Sequence, residues 1–345
     1  MRKKDFIFSL NELKKYLKSK KIGLKKINLP TVNFKQNFPL LIPKHYLQLV
    51  DWDNPEDPLK KMAVPNEKEL AAKEYELEDP LGEKMHTPIP GIVHHYNNRC
   101  LLNLTTNCSL HCRFCFRKHL LKEGKYIENS DCIKYIKEHE KIWEVILSGG
   151  DPFMLDNYTL SEVLINLRQI KHIKMIRFHT RTPVVYPQRM TPALIKLLNN
   201  ALPYSIVFHI NHPREISKEF IKIVSKLRKK TSLLLSQTVL MKDINNDPKI
   251  LEELFKKLAE IGIKPYYLHH PDLVRGTHHF RVSIEDGKRI MKKLQENLSG
   301  ICLPEYVVYL PKGGGKLPVS YLKKIRNNHY ASTNSDGKKL IYVDY

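Results

Sequence analysis

Residues 99–119 read RCLLNLTTNCSLHCRFCFRKH, a short apolar run that gives way at once to three cysteines. The run suits a buried strand, and similar runs recur at 143–148, 174–180, 204–210, 232–238, 264–269 and 305–310. Between them, apolar residues fall at helical spacing near 131–140, 160–168, 192–198, 218–228, 248–261 and 284–298. Strand and helix in this alternation predict an α/β fold: a parallel sheet with crossover helices, its seven or so strands forming an open or partial barrel. The unusual residues then share one position in the pattern. Cysteines follow the first strand, Gly149-Gly150-Asp151 the second and Arg181-Thr182-Pro183 the third. His209 and His212 flank the end of the fourth strand, Gln237 ends the fifth, His270-Pro271-Asp272 follows the sixth and Gly313 to Lys316 the seventh. In parallel α/β barrels the loops at the carboxyl ends of the strands converge on one face, which is where a site is expected.

The first 90 residues read differently. Leu10 to Leu17 is a short amphipathic segment, and Pro30, Pro39 and Pro43 break the chain after it. Asp51 to Leu59 (DWDNPEDPL) is capping and turn chemistry. Pro80, Gly82, Pro88, Pro90 and Gly91 mark a linker. The expected organisation is a mainly helical or irregular extension over 1–90, a core barrel over 91–317 and a C-terminal tail over 318–345.

The 345 residues carry 58 Lys and Arg against 36 Asp and Glu, a net charge of +22. Clustered cations would suit a nucleic acid. Here, however, the lysines are scattered over helix faces such as 218–230 and 288–293, without interleaved aromatics, so solubility is the simpler reading. No apolar run approaches the ~18 residues of a membrane helix. Met1 to Leu10 holds only the short patch Phe6-Ile7-Phe8, neither signal peptide nor anchor. The expectation is a cytoplasmic protein with no membrane or nucleic-acid partner. Half of the six cysteines lie within eight positions, which is unlike a disulfide framework.

Cys108, Cys112 and Cys115 can hold three irons of a four-iron cluster and leave the fourth open to a ligand. A zinc site completed by His111 or His119 is the alternative that the residues leave open. Gly149 and Gly150 would let a ligand approach exposed backbone, and Asp151 could pair with an ammonium. Pro311 to Lys316 (PKGGGK) fails the phosphate-loop pattern, since Leu310 and Leu317 stand where glycine and a hydroxyl belong. A lysine on a glycine-rich loop facing a barrel interior suits a Schiff base instead, because burial keeps its amine neutral.

The cysteine run resembles the defining motif of the radical S-adenosylmethionine (SAM) superfamily. With Ser148 to Pro152 and Lys316 it is similar to the lysine 2,3-aminomutase family, a resemblance spanning about Asn54 to Leu317. Outside the cofactor motifs, Asn54 to Leu59, Pro90 to Tyr96 and Pro265 to His269 carry it. The chain most resembles the branch that makes (R)-β-lysine for elongation factor P. What the resemblance implies is a [4Fe–4S] cluster on Cys108, Cys112 and Cys115, SAM at Gly149, Gly150 and Asp151, and pyridoxal 5′-phosphate (PLP) on Lys316. It also implies that Arg117 holds the substrate carboxylate and Asp272 its ε-ammonium, with Arg99, His209 and Gln237 in the cofactor pocket. The implied reaction moves the amino group of lysine from the α- to the β-carbon by radical chemistry, with SAM recycled. Implied partners are a flavodoxin- or ferredoxin-type electron donor and a separate ligase that carries the product to elongation factor P; a homo-oligomer is compatible. The rivals are an aminomutase for another amino acid, such as glutamate, and a radical SAM enzyme that methylates RNA.

Two departures stand out. Fermentative relatives place a second carboxylate seven residues before the Schiff-base lysine, where this chain has Tyr309. Those relatives also carry a C-terminal cysteine group for zinc; here no cysteine follows Cys302, so no zinc is expected, and Cys100, Cys132 and Cys302 read as small buried apolar residues.

Overall fold

A parallel strand covered on both faces should be apolar throughout, and Met175–Thr180 is not. Ile176, Phe178 and Thr180 are buried, while Met175, Arg177 and His179 alternate with them and are partly exposed. One face packs on helices and the other turns to a polar interior. The same division runs round a computed structural model describing residues 2–23, 27, 29–30, 38–119, 129–198, 203–229, 231–311, 313–333, 337 and 339–345. Lys312 of the glycine-rich stretch and Lys230 of the basic helix lie outside the described residues.

The N-terminal region holds β1 (Phe6–Ile7), α1 (Leu10–Ser19), β2 (Ile42–Pro43), α2 (Lys44–Leu47) and α3 (Pro58–Ala63). β1 and β2 pair antiparallel. The turn chemistry near residue 57 does cap a helix: the Asp57 carboxylate accepts the Lys60 N–H at 2.9 Å and takes Arg214 at 2.5 Å, tying the extension to the barrel.

The main sheet opens with β3 (Ile92–Tyr96) and runs through β4 (Arg99–Thr105), α4 (Ser130–Glu138), β5 (Glu144–Gly149), α5 (Asn157–Arg168) and β6 (Met175–Thr180). It continues with α6 (Thr182–Val185), α7 (Pro192–Leu198), β7 (Tyr204–His209), α8 (Lys218–Leu227), β8 (Leu233–Val239), α9 (Pro248–Glu260) and β9 (Lys264–His269). It ends with α10 (Ile284–Asn297), β10 (Glu305–Leu310) and β11 (Gly315–Pro318). The spatial order is sequential from β3 to β11; β4 to β10 are parallel, and the two edge strands are antiparallel to their neighbours. Crossover helices cover the outside with one apolar face each. On α8 that face is Phe220, Ile223, Val224 and Leu227, each worth roughly 1.5–3 kcal/mol when fully buried.

The edges β3 and β11 come together, which nearly closes the barrel. The Tyr96 hydroxyl accepts the Lys316 N–H at 3.0 Å, and a Cβ on Gly315 (φ +82°) would lie 2.9 Å from His95 Nε2. Only glycine permits this seam. The glycine-rich stretch therefore differs from the expected loop: Lys316 lies on strand β11, directly opposite Tyr309 of β10. Residues past 322, expected as a tail, form a second antiparallel sheet of β12 (Lys323–Arg326), β13 (His329–Thr333) and β14 (Lys339–Val343). Asp344 anchors it by bonds to Arg281 (3.0 Å) and to the Ile284 N–H (2.6 Å). Among the described residues no helix is long and apolar enough to cross a membrane.

Candidate active site

The inner face of the barrel encloses a cavity of about 800 Å³. Cys108, Cys112, Cys115, Gly149, Gly150 and Asp151 line it where the strands end. Lys316, Asp272, Arg117, His209 and Gln237 line it too. So does Arg99, although it is the first residue of β4 and thus belongs to the opposite end of the barrel from the cysteines.

Arg113, between the second and third cysteines, shapes that loop. Its guanidinium is wholly buried, pairs with Glu69 at 2.6 Å, donates to the Phe38 carbonyl at 3.1 Å and stacks on the Phe38 ring at 4.8 Å. His111 stacks on the same ring and engages the Pro39 carbonyl through Nδ1 at 2.9 Å; burial lowers its pKa to about 4. It is thereby spent on packing, which weakens the zinc alternative. Burial raises the Cys108 thiol well above its usual range and pushes Cys115 up to about 12. Among the described residues no three His, Cys, Asp or Glu side chains are close enough as placed to share a metal ion. A metal would therefore draw the thiols in and ionise them. Cys100, Cys132 and Cys302 are buried, as expected of apolar packing.

The Gly149-Gly150 turn is as tight as the sequence suggests. A Cβ on Gly150 would lie 2.2 Å from the Asn107 carbonyl oxygen, so only glycine lets this turn pack on the backbone of the cysteine loop. Asp151 is engaged within the fold. Its carboxylate is buried and accepts from the Thr180 hydroxyl (2.8 and 2.9 Å) and from the N–H groups of Arg181 (2.8 Å), Thr182 (2.9 Å) and Phe153 (3.1 Å). These bonds fasten the ends of β5 and β6 together. Arg117 is also engaged: Nε and Nη2 grip Glu83 (2.9 and 2.5 Å), and Nη1 donates to Ser148 Oγ (2.9 Å) and the Gly149 carbonyl (3.3 Å).

Lys316 stands in different surroundings. Its amine lies 4.1 Å from the centre of the Tyr267 ring and 5.3 Å from that of Tyr309. Burial, reinforced by Arg177 and Arg99 and offset by Asp272, lowers its pKa to about 7. Asp272 is raised to about 7, again chiefly by burial. The Nε2 atoms of His179, His209 and His269, all on the cavity wall, have no hydrogen-bond partner among the described residues. Orphaned buried imidazoles, a neutral amine and nearby guanidinium groups fit a polar, anionic aldehyde cofactor. The three thiols fit an iron–sulfur cluster.

Arg177 and His179 escaped the sequence reading, and Tyr267 and His269, though part of the resemblance, were given no role in the site. The signal was available: polar residues at period two within β6 and β9, strands that a parallel sheet would otherwise fill with Val, Ile and Leu.

A barrel of this topology with three cysteines at the mouth defines a radical SAM protein, and residues 102–276 match the radical SAM superfamily. The chain is 36% identical to the L-lysine 2,3-aminomutase of Clostridium subterminale, over 94% of this chain and 78% of that one. It is 38% identical to that of Methanococcus maripaludis (89% and 72%) and 36% identical to that of Escherichia coli (79% and 80%). Among solved structures, Streptococcus suis SuiB bound to S-adenosylmethionine superposes with a TM-score of 0.47 at 15% identity, over 60% of this chain and 49% of that one. The chain belongs to the lysine 2,3-aminomutase family. It is a radical SAM isomerase that moves an amino group within its substrate, which sets the RNA-methylating alternative aside.

Proposed function

We propose that the chain converts L-α-lysine to (R)-β-lysine with PLP on Lys316, a [4Fe–4S] cluster on Cys108, Cys112 and Cys115, and SAM seated over Gly149 and Gly150. The observation that carries the reading is an amine of pKa about 7 in the same enclosed cavity as the three thiols. When bound, the cluster and SAM supply one-electron chemistry, and PLP supplies a π-system that spreads unpaired spin. The protein's own work is to bind and orient. Lys316 offers a neutral amine to an aldehyde. Arg99 and Arg177, which both act on Lys316 electrostatically, suit a phosphate. Asp272 faces the interior as the receiver of an ε-ammonium, whose approach would draw its raised pKa back down. Arg117 is the carboxylate holder of this reading, and Glu83 already fixes its guanidinium plane. His209 and Gln237 complete the cofactor pocket.

Beyond the site, the reading places the protein in the cytoplasm, served by a flavodoxin- or ferredoxin-type donor. Its product would pass to elongation factor P through a separate ligase. The second reading, another amino acid as substrate, draws on Tyr309 in place of a second acid. The test is anaerobic reconstitution followed by separate incubations with lysine, glutamate and other amino acids, and chiral analysis of the products. β-Lysine of R configuration from lysine alone is expected; turnover of another amino acid in preference to lysine sinks the proposal.

A further inference from the structure

Arg181, the first residue after β6, has no part in the reaction as derived above. Yet it is the guanidinium in direct contact with a cysteine of the cavity. Nη1 donates to Cys112 Sγ at 2.8 Å, and Nη2 grips Glu215 Oε1 at 2.5 Å. The Nε–H, on a side chain more than nine-tenths buried, has no partner among the described residues. Glu215 is fully buried, and its other oxygen accepts the N–H groups of Asn211 (2.7 Å) and His212 (3.1 Å) in the turn after β7. The Phe114 and Tyr46 rings flank the guanidinium carbon at 5.4 and 5.9 Å, and the Arg181 N–H is held by Asp151. Three neighbouring turns thus fix one cation against one sulfur. A packing role alone would be met by a neutral side chain, without burying a charge that then needs its own carboxylate.

Hydrogen bonds and positive charge at the sulfurs of a cluster stabilise its more negative, reduced form. We propose that Arg181 is a positioning residue that donates a hydrogen bond to the Cys112 sulfur and raises the reduction potential of the cluster, while Glu215 holds it there and offsets part of its charge. The proposal rests on the reading that Cys108, Cys112 and Cys115 carry a [4Fe–4S] cluster. The step concerned takes one electron from a low-potential one-electron donor and reduces the cluster from the 2+ to the 1+ state. No proton moves and no bond at Cys112 is made or broken.

The test uses the full chain, reconstituted anaerobically with iron and sulfide and left without SAM or lysine. Its readouts are iron content and the midpoint potential from an EPR-monitored titration. Arg181→Gln is expected to shift the potential to more negative values, with Arg181→Lys, which keeps the charge and loses the fork, lying between it and wild type. Glu215→Gln, which removes the offsetting charge, is expected to shift it the other way. If Arg181→Gln fails to take up iron, Glu215→Gln decides: a positive shift supports the proposal and an unchanged potential overturns it. Arg181→Gln and Glu215→Gln both titrating at the wild-type potential overturn it as well. A wild-type chain that binds no iron overturns the cluster reading and this proposal together.

Discussion

At the cysteine end of the cavity each buried guanidinium has its own carboxylate: Arg113 with Glu69, Arg117 with Glu83 and Arg181 with Glu215. At the lysine end the amine of Lys316 faces tyrosine rings, and the Nε2 atoms of His179 and His269 have no hydrogen-bond partner among the described residues. Burial is common to both ends, and Arg177 at the lysine end also has a carboxylate, Glu144 at 2.8 Å, so the difference lies in the amine of Lys316 and the carboxyl of Asp272, which have no ion pair among the described residues. Paired charges stay charged and lock loops in place, whereas charges buried without close partners drift toward neutrality. Lys316 and Asp272, both near 7, show the second behaviour. The arginines of one end are fixed by the chain itself; the titratable groups of the other are left to a ligand.

The largest effect should follow from emptying the lysine end. Lys316→Ala is expected to abolish the borohydride-sensitive aldehyde absorbance and to cut aminomutase activity by about a thousandfold or more, with iron content unchanged. The neutral amine is the nucleophile, so aldehyde capture by the wild type should climb as pH rises through about 7 and fall below it. A profile still climbing well above pH 9 would show that Lys316 is an ordinary solvated lysine and that the two ends do not differ as described.

Breaking a pair at the cysteine end should cost stability first. Glu69→Gln leaves the Arg113 cation with no exposure and no carboxylate, a loss of about 3 kcal/mol. Thermal unfolding measures it, and iron uptake should fall as the loop between Cys112 and Cys115 loosens. Replacing both partners with apolar residues should recover much of the loss in unfolding. An undisturbed midpoint in the single variant would mean that the pair is ornamental and the loop is held by other contacts.

How much of this was readable in the chain follows the same division. The seven parallel strands showed themselves because their outer faces are apolar, and the cysteines and Gly149-Gly150 stood out because each follows a strand end, where both line the cavity. The edge strands β3 and β11 were missed: one carries histidines and the other begins in glycines, so neither has a strand's composition. The structural task of Asp151 was not legible, because a carboxylate after two glycines gives no hint that it will accept from N–H groups 30 residues on. Glu69, Glu83 and Glu215 are each distant in sequence from or unaligned with the arginine they serve, and only the fold brings them together.

Tyr309 sits where the comparison is finest. It lies opposite Lys316 in the β10–β11 register, at the position where the resemblance to fermentative relatives would put an acid. Burial raises its hydroxyl far above the usual phenol range, so it offers a hydrogen bond and no charge. Tyr309→Phe should therefore cost about 1 kcal/mol of lysine binding, a roughly fivefold higher KM with kcat little changed. Tyr309→Asp instead places an anion across from the amine. It should raise the Lys316 pKa and move the aldehyde-capture profile to higher pH, since a nearby opposite charge favours the ammonium. A Tyr309→Phe variant whose kcat collapses while KM holds would give the phenol a proton-transfer role, and the lysine end would then be less reliant on a ligand than its unpaired groups indicate.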